Sequence, residues 1–354
     1  MLACSIRKVA LLATLVLGPL TWAQSPELFD SDEVFTITLS GNLTELLKDR
    51  SGDPAYYPLT LSYTGPDSSV VTIPLRARTR GNFRRAKGTC VYPPLLLNFS
   101  KETVRNTIFQ HQDKLKLVMP CQGDKYVVRE YLVYKLYNEI SPKSFRARLV
   151  RIILEDENLK AKGSKSFYGI LLEEEDQMAN RNNMVSIDRK LVRPEQTQLN
   201  DFMTMAVFEY MIGNTDWSVQ YRQNVKLIAE DTLVRPCTVP YDFDHAGIVD
   251  APYAKPAVEL ELSSVRIRRY RGFCMGGMNP FESIFTRFNE LNRSLYAVYE
   301  TNSLIDEAYR KSTLKYLDDF YKTINDPKRA KEEFLYPCRR DGTGNVVIKG
   351  LNKD

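Results

Sequence analysis

Two carboxylates one residue apart, Asp242 and Asp244, stand in the stretch VPYDFDHAG (239–247), after a short apolar run and just before Gly247. Alternate residues of an extended chain share a face, so the spacing predicts both acids on one side of a strand end. Two like charges held that close repel unless a proton or a cation sits between them. A divalent metal is the natural guest. A Ca2+ loop is the competing reading, because hard oxygen ligands suit that ion too. Support for either must come from elsewhere in the chain.

Four further groups stand in a telling order. Lys114 and Lys116 fall on one face of a strand in DKLKLVMP (113–120), and Glu130 lies at the start of the helix-like run VVREYLVYKLYNEIS (127–141). Asp216 comes just past the end of an apolar helix in GNTDWSVQYRQN (213–224), which closes on Asn224. Nucleotide-dependent phosphoryl transfer needs such a set. A lysine neutralises phosphates, a glutamate on a neighbouring helix holds the lysine, and an aspartate orients the attacking hydroxyl. An asparagine and a further aspartate hold the metal. Each residue also has a plainer reading: lysines that keep an edge strand soluble, a glutamate at a helix N-terminus, an aspartate in a turn. His245 reads as a local hydrogen-bonding residue and Trp217 as packing.

The chain resembles the CotH-like kinases of the atypical protein-kinase-like superfamily, and more distantly HipA and the secretory-pathway kinases. The resemblance rests on TRGNFRRAK (79–87) for an Arg-Gly-Asn-Ser-like stretch, GNTDW (213–217) for an Asp-Trp catalytic loop, and PYDFD (240–244) for a Pro-Trp-Asp-x-Asp metal motif. It spans roughly residues 34–247. The resemblance implies Lys116 as the phosphate lysine, with Lys114 as alternative, and Glu130 as its ion-pair partner. It implies Asp216 as catalytic aspartate, Asn224 as a metal or phosphate ligand, Asp242 as main metal ligand and Asp244 as its support. Arg80, Gly81 and Asn82 would cover the phosphates, and residues 172–174, ending in Glu174, would form an adenine-side hinge. ATP or another nucleotide with Mg2+ or Mn2+ is the implied cofactor, and a protein or other hydroxyl-bearing molecule the acceptor. There are departures: Asn224 follows Asp216 by eight residues rather than five, and no Gly-x-Gly-x-x-Gly or His-Arg-Asp is present. Asp244 and His245 stand where a kinase would have glycine.

These residues need elements to hold them. FTITL, PLTLSY, VVTIPLRAR, PPLLLNF and KLKLV read as strands separated by turn material, with one helix at LTELLKDR. ARLVRIILED and FYGILLE add strands after the first long helix. Beyond Glu175 the pattern turns helical: NDFMTMAVFEYMIGN, then FESIFTRFNELNRSLYAVYE and SLIDEAYRKSTLKYLDDFYKTIN, with a hairpin from NVKLIA and CTVPYDF between them. The expected fold class is α+β, a two-lobed protein-kinase-like fold. Its strand-rich N-terminal lobe covers 27–174, its mainly helical C-terminal lobe 175–338, and a polar tail 339–354. A cleft between lobes is a usual ligand site.

With 354 residues, 43% hydrophobic and 26% charged, the chain can bury a sizeable core. Residues 1–23 carry Arg7 and Lys8, an apolar run from Val9 to Leu20 and small residues at Thr21 and Ala23, the layout of a secretory leader. The apolar run is too short to span a bilayer. An exported, periplasmic or secreted protein follows, with no transmembrane segment after cleavage. The formal charge of +5 is too mild to argue for nucleic acid. Basic residues cluster in RARTRGNFRRAK (76–87) and VRIRRYR (265–271), either solvated strand faces or a surface for phosphate or acidic substrates. Disulfides are expected, with Cys90–Cys121 and Cys237–Cys274 the simplest pairs and Cys338 left over. Two other functions compete with the kinase: a degenerate pseudokinase acting as a binding or scaffold protein, and a glycosyltransferase with an Asp-x-Asp motif. The long strand run before the motif argues against the glycosyltransferase.

Overall fold

The computed structural model describes residues 27–158 and 165–340. The expected leader at 1–23 and nearly all of the polar tail lie outside them. The protein is a mixed α/β molecule, and alternation builds its first half. In β1 (Phe35–Gly41), β2 (Tyr57–Thr64) and β3 (Val70–Thr79), buried and solvent-facing residues alternate along most of each strand. With β4 (Leu95–Phe99), β5 (Lys114–Val118), β6 (Ala147–Asp156) and β7 (Lys165–Leu172) they close into a seven-stranded barrel in the order β1-β2-β3-β4-β5-β7-β6. Every pairing is antiparallel except β1 with β6, the parallel pair that completes the ring. Closure, which the strand pattern did not announce, pairs every barrel strand on both sides among the described residues. Ile37, Leu61, Ile73, Leu97, Leu117 and Ile152 are among the residues that form one core with the other inward-facing side chains.

Opposite faces of the same strands join a second core. Val118, Leu149, Ile170 and Leu172 pack with the helices. Helix α1 (Leu43–Lys48) is capped by Asn42, whose side chain accepts from the Glu45 amide. Helix α2 (Asp124–Ile140) is buried on most of its surface because it lies between the outer barrel wall, at β6 and β7, and the later helices. A short helix α3 (Glu175–Arg181) follows the barrel. A small sheet is then laid down in the order β10-β9-β8, from β8 (Val185–Ser186), β9 (Val225–Ala229) and β10 (Cys237–Pro240), against helix α4 (Leu199–Ile212).

The C-terminal helices are α5 (Asn279–Glu290), α6 (Asn292–Glu300), α7 (Glu307–Ile324) and α8 (Pro327–Phe334). The amphipathic run at 281–300 is broken at Leu291 rather than continuous. Asp306 caps α7 and Asp326 caps α8, with Pro327 at the first helical position. Two disulfides form, Cys90–Cys121 and Cys274–Cys338. The first is the expected pair. The second corrects the expected Cys237–Cys274 bridge: Cys237 opens β10, is buried, and carries a free thiol. Two disulfides are consistent with an extracellular protein. No helix among the described residues is long and apolar enough to cross a membrane.

Candidate functional site

A cavity of about 310 Å³ lies where one end of the barrel meets the small sheet and the loops after α4. On the barrel side it is lined by the β3–β4 loop from Arg80 to Arg84, by Pro94, and by Val118 and Leu172 at the ends of β5 and β7. On the other side stand Asp216, residues 221–224, and Tyr241, Asp242, Asp244 and His245. Residues from the two halves of the sequence therefore face one another across it.

Helix α4 sets the Asp216 loop. It ends on Gly213 in the left-handed conformation, φ +69°, where a Cβ would fall 2.1 Å from the Tyr316 hydroxyl. Asn214 then caps the Asp216 amide through its side chain at 3.0 Å. The Asp216 carboxylate accepts from the Gln223 side chain and from Asn224 Nδ2 at 3.0 Å, and Asn224 also donates to the Asp216 carbonyl at 2.6 Å. The insertion that separates Asp216 from Asn224 is thus a small loop, closed by the Ser218–Gln223 bridge, which brings the asparagine back against the aspartate. Arg271, from the basic run at 265–271, clamps this loop from behind by donating to the carbonyls of Thr215 and Trp217. Burial pushes the Asp216 carboxyl above the ordinary range, against the pull of His245.

The Asp-x-Asp pair sits in a loop after β10, not on an extended strand. Asp242 takes the left-handed conformation, φ +62°, and its amide donates to the Tyr134 hydroxyl of α2 at 2.9 Å. The loop docks on the end of α4 through the Gly247 amide to the Gly213 carbonyl at 3.1 Å. A Cβ at Gly247 would meet the Val265 carbonyl at 2.3 Å, so the close approach needs glycine there.

What meets the two acids is a guanidinium. Arg84 donates from Nε to Asp244 at 2.7 Å, and from Nη2 to Asp242 at 3.1 Å and to Glu130 at 3.2 Å. The Arg84 side chain is 9% exposed, Glu130 2% and Asp244 6%, whereas Asp242 keeps 42%. Burial opposes the Arg84 charge, but Asp244 and Glu130 outweigh it and hold the arginine firmly cationic. Burial likewise works against Asp244, yet Arg84 and His245 bring its carboxyl below the usual value. Glu130 and Asp242 are pushed upward, mainly by burial and then by their acidic neighbours, despite Arg84.

Lys116 lies elsewhere. Its ammonium sits 5.1 Å from the centre of the Tyr241 ring and 6.0 Å from that of Phe145. Burial, with Arg80 and Lys226 nearby, lowers its pKa to about 7. The expected Lys116–Glu130 ion pair is replaced by Arg84–Glu130, because α2 turns Glu130 toward the β3–β4 loop. Tyr241 rather than Lys116 lines the cavity. Lys114 shares the Lys116 face but is exposed, and it pairs in register with Asn98 away from the cavity. Arg80, Gly81, Asn82 and Leu172 line the cavity; Glu174 does not, and its side chain instead caps α3 at 2.6 Å from the Asp176 amide. Arg84 is the central residue that sequence reasoning passed over. The signal was present, since it lies inside RARTRGNFRRAK (76–87) among six basic residues, but nothing in that run marks which one turns inward.

The cavity's acidic end offers room for a cation in charge terms. Asp216, Asp242 and Asp244 line it, and Glu130 joins Asp242 and Asp244 on the Arg84 guanidinium. No set of three or more His, Cys, Asp or Glu side chains among the described residues is spaced to hold an ion alone. A cation of the Mg2+ type, which takes one or two carboxylates and completes its shell with phosphate oxygens and water, needs no such set.

No protein-family model matches the chain, and no curated protein does. Among solved structures, the chain is similar to the crystal structure of a Helicobacter pylori proinflammatory kinase, CtkA, at 10% sequence identity and a TM-score of 0.40, over 74% of this chain and 96% of that one. So loose a likeness leaves the fold to rest on the strands and helices described above.

Proposed function

We propose that the chain is an exported, CotH-like atypical kinase, built on a two-lobed protein-kinase-like plan, that transfers phosphate from a nucleotide–metal complex to a protein or other hydroxyl acceptor. One observation carries this reading. Asp216, Asn224 and Asp242, named from the sequence for phosphoryl transfer, converge on one cavity whose far wall is the Arg80–Arg84 loop and the end of β7. Asp216 is the group that would accept the acceptor hydroxyl's proton. Burial raises its basicity above that of a solvated aspartate, and Gln223 and Asn224 fix its orientation. Asp242, more open than Asp244 and Glu130, and Asn224 would hold Mg2+ or Mn2+, which neutralises phosphate charge when bound. Asp244 is spent on Arg84 and takes the role of holding that arginine rather than the ion. The leader at 1–23 and the two disulfides support export.

A degenerate kinase fold used as a binding protein is the second reading, favoured by the engagement of both aspartates by Arg84. A thermal-shift titration of the exported chain decides between them. ATP, GTP and AMP are each added with Mg2+ or Mn2+, to wild type and Asp242→Ala. Metal-dependent nucleotide stabilisation that disappears in the variant, followed by phosphate transfer to a generic acceptor such as casein, supports the kinase. Stabilisation without transfer to any acceptor supports the binding protein. No stabilisation by any nucleotide would sink both nucleotide-dependent readings.

A further inference from the structure

We infer that Arg84 is a phosphate-binding residue, which takes a phosphoryl oxygen of the bound nucleotide through the one guanidinium nitrogen that the protein leaves uncommitted. The inference rests on the nucleotide reading above and assigns a contact that the kinase resemblance gives to Lys116. Nε and Nη2 are spent on Asp244, Asp242 and Glu130. Nη1 has no acceptor among the described residues, and it is not one of the buried polar atoms left without a partner, so solvent reaches it. Arg84 itself lines the cavity.

Three features make this more than a buried ion pair. The guanidinium is planar and rigid, so the carboxylates that hold Nε and Nη2 also fix the direction in which Nη1 donates, which a freely rotating ammonium cannot match. Its carboxylate partners come from α2 and from the loop after β10, so two of its three nitrogens are locked in place before any ligand arrives. A preorganised donor loses little freedom on binding. The loop that carries it is fixed as well. Cys90 is bridged to Cys121, the Val91 amide donates to the Cys121 carbonyl at 3.2 Å, and Arg50 donates to the carbonyls of Cys90 at 3.0 Å and Val91 at 3.1 Å. Arg80, on the same loop, lines the cavity too and adds a second positive charge. Lys116, by contrast, stands over the Tyr241 and Phe145 rings and outside the cavity lining.

A purely structural bolt would look similar at rest, so the test compares ligands with and without phosphate. Isothermal titration calorimetry with Mn2+ measures ATP and adenosine against wild type, Arg84→Lys and the double variant Arg84→Met/Glu130→Leu. The double variant removes Arg84 together with the most buried of its three carboxylate partners, and Arg84→Lys keeps a cation for all three, so the pair of variants guards against loss of folding. Wild type is expected to bind ATP more tightly than adenosine. Both variants are expected to keep adenosine affinity and to lose about tenfold or more in ATP affinity, the equivalent of one charge-assisted hydrogen bond. Unchanged ATP affinity in the double variant overturns the inference, as does an equal loss for ATP and adenosine, the mark of a structural bolt. Wild type that binds neither ligand overturns the nucleotide reading itself, a distinguishable failure.

Discussion

Two cations are drawn in beside the same cleft and meet opposite fates. Arg84, on the β3–β4 loop, is surrounded by three carboxylates. Lys116, on β5, faces two aromatic rings, and no carboxylate among the described residues reaches its ammonium within ion-pair distance. Both lose hydration, but only one is paired; Glu175 and Asp242 favour the Lys116 charge from farther off without restoring it. A buried cation with partners is bound into the fold, and one without them is left poised near its neutral form. The difference separates the part of the site that holds the structure together from the part that is electrostatically unfinished.

The sharpest way to break this contrast is to remove the compensated cation. Arg84→Ala leaves Glu130, Asp242 and Asp244 facing one another, and stability should fall by about 4 kcal/mol, as for other buried pairs that lose one member. Urea unfolding at neutral pH measures it. A loss below about 1 kcal/mol would mean that the cluster relaxes into water and that Arg84 is not a keystone.

Next comes the clamp on the loop that presents Arg84. Cys90 and Cys121 are 31 residues apart and Cys274 and Cys338 are 64 apart. Replacing either pair by alanine should cost about 3 kcal/mol, somewhat more for the longer loop on chain-entropy grounds. Ligand binding should tell them apart. Loss of Cys90–Cys121 frees the Arg80–Arg84 wall and should weaken ATP–Mn2+ affinity, whereas loss of Cys274–Cys338, which ties the segment before α5 to the turn after α8, should leave it alone. Equal effects on affinity would mean that the loop is held by its hydrogen bonds and not by the bridge.

The same contrast explains how much of the site could be read from the sequence. Strand alternation and helical spacing are local, so β1 to β7, α2, α4 and α7 were legible. That Asp216, Asn224 and Asp242 fall in loops facing one cleft was legible too, because each sits beside a local signal: a helix ending at Gly213, a hairpin ending at Pro240. Barrel closure was not, since the β1–β6 pairing joins residues more than a hundred positions apart through no local pattern. The partner of Glu130 was missed for the same reason. The order of residue types suggested a lysine, but which cation reaches α2 depends on how a disulfide-held loop folds over the barrel end. The Cys274–Cys338 pairing likewise depends on where α8 returns the chain.

Lys116 gives a smaller effect with a definite sign. Its folded pKa of about 7 lies below the ordinary 10.5. Between those values the unfolded state holds the proton and the folded state does not, so stability should rise with pH across roughly pH 7 to 10, by at most about 1.4 kcal/mol per unit. Below pH 7 the penalty is fully present. Lys116→Met should flatten this component, and subtracting its unfolding free energy from that of wild type at each pH isolates the lysine from the tyrosines that titrate nearby. Parallel curves would mean that Lys116 reaches water and stays charged. Bound nucleotide phosphate should raise the pKa if it lies near the ammonium, so the same pair of curves taken with ATP–Mn2+ asks whether the uncompensated cation helps Arg84.

The smallest stability effect should come from the acidic end of the cleft, where function and folding part company. Asp216 is partly buried, and desolvation disfavours its charge there. Asp216→Asn removes that charge, a gain to the folded state. It also presents an amide donor to Gln223 and Asn224, both of which donate to the carboxylate, so one hydrogen bond is lost. The two terms oppose each other and are each about 1 kcal/mol, so the midpoint of unfolding should barely move. Phosphate transfer should fall by about a hundredfold or more, because no base remains to orient and deprotonate the acceptor. A large loss of stability would recast Asp216 as a turn residue whose two hydrogen bonds hold the 213–224 loop. Unchanged stability with unchanged transfer would move the base elsewhere on the cavity wall, and Asp242, more open than Asp244 and Glu130, would be the residue to replace next.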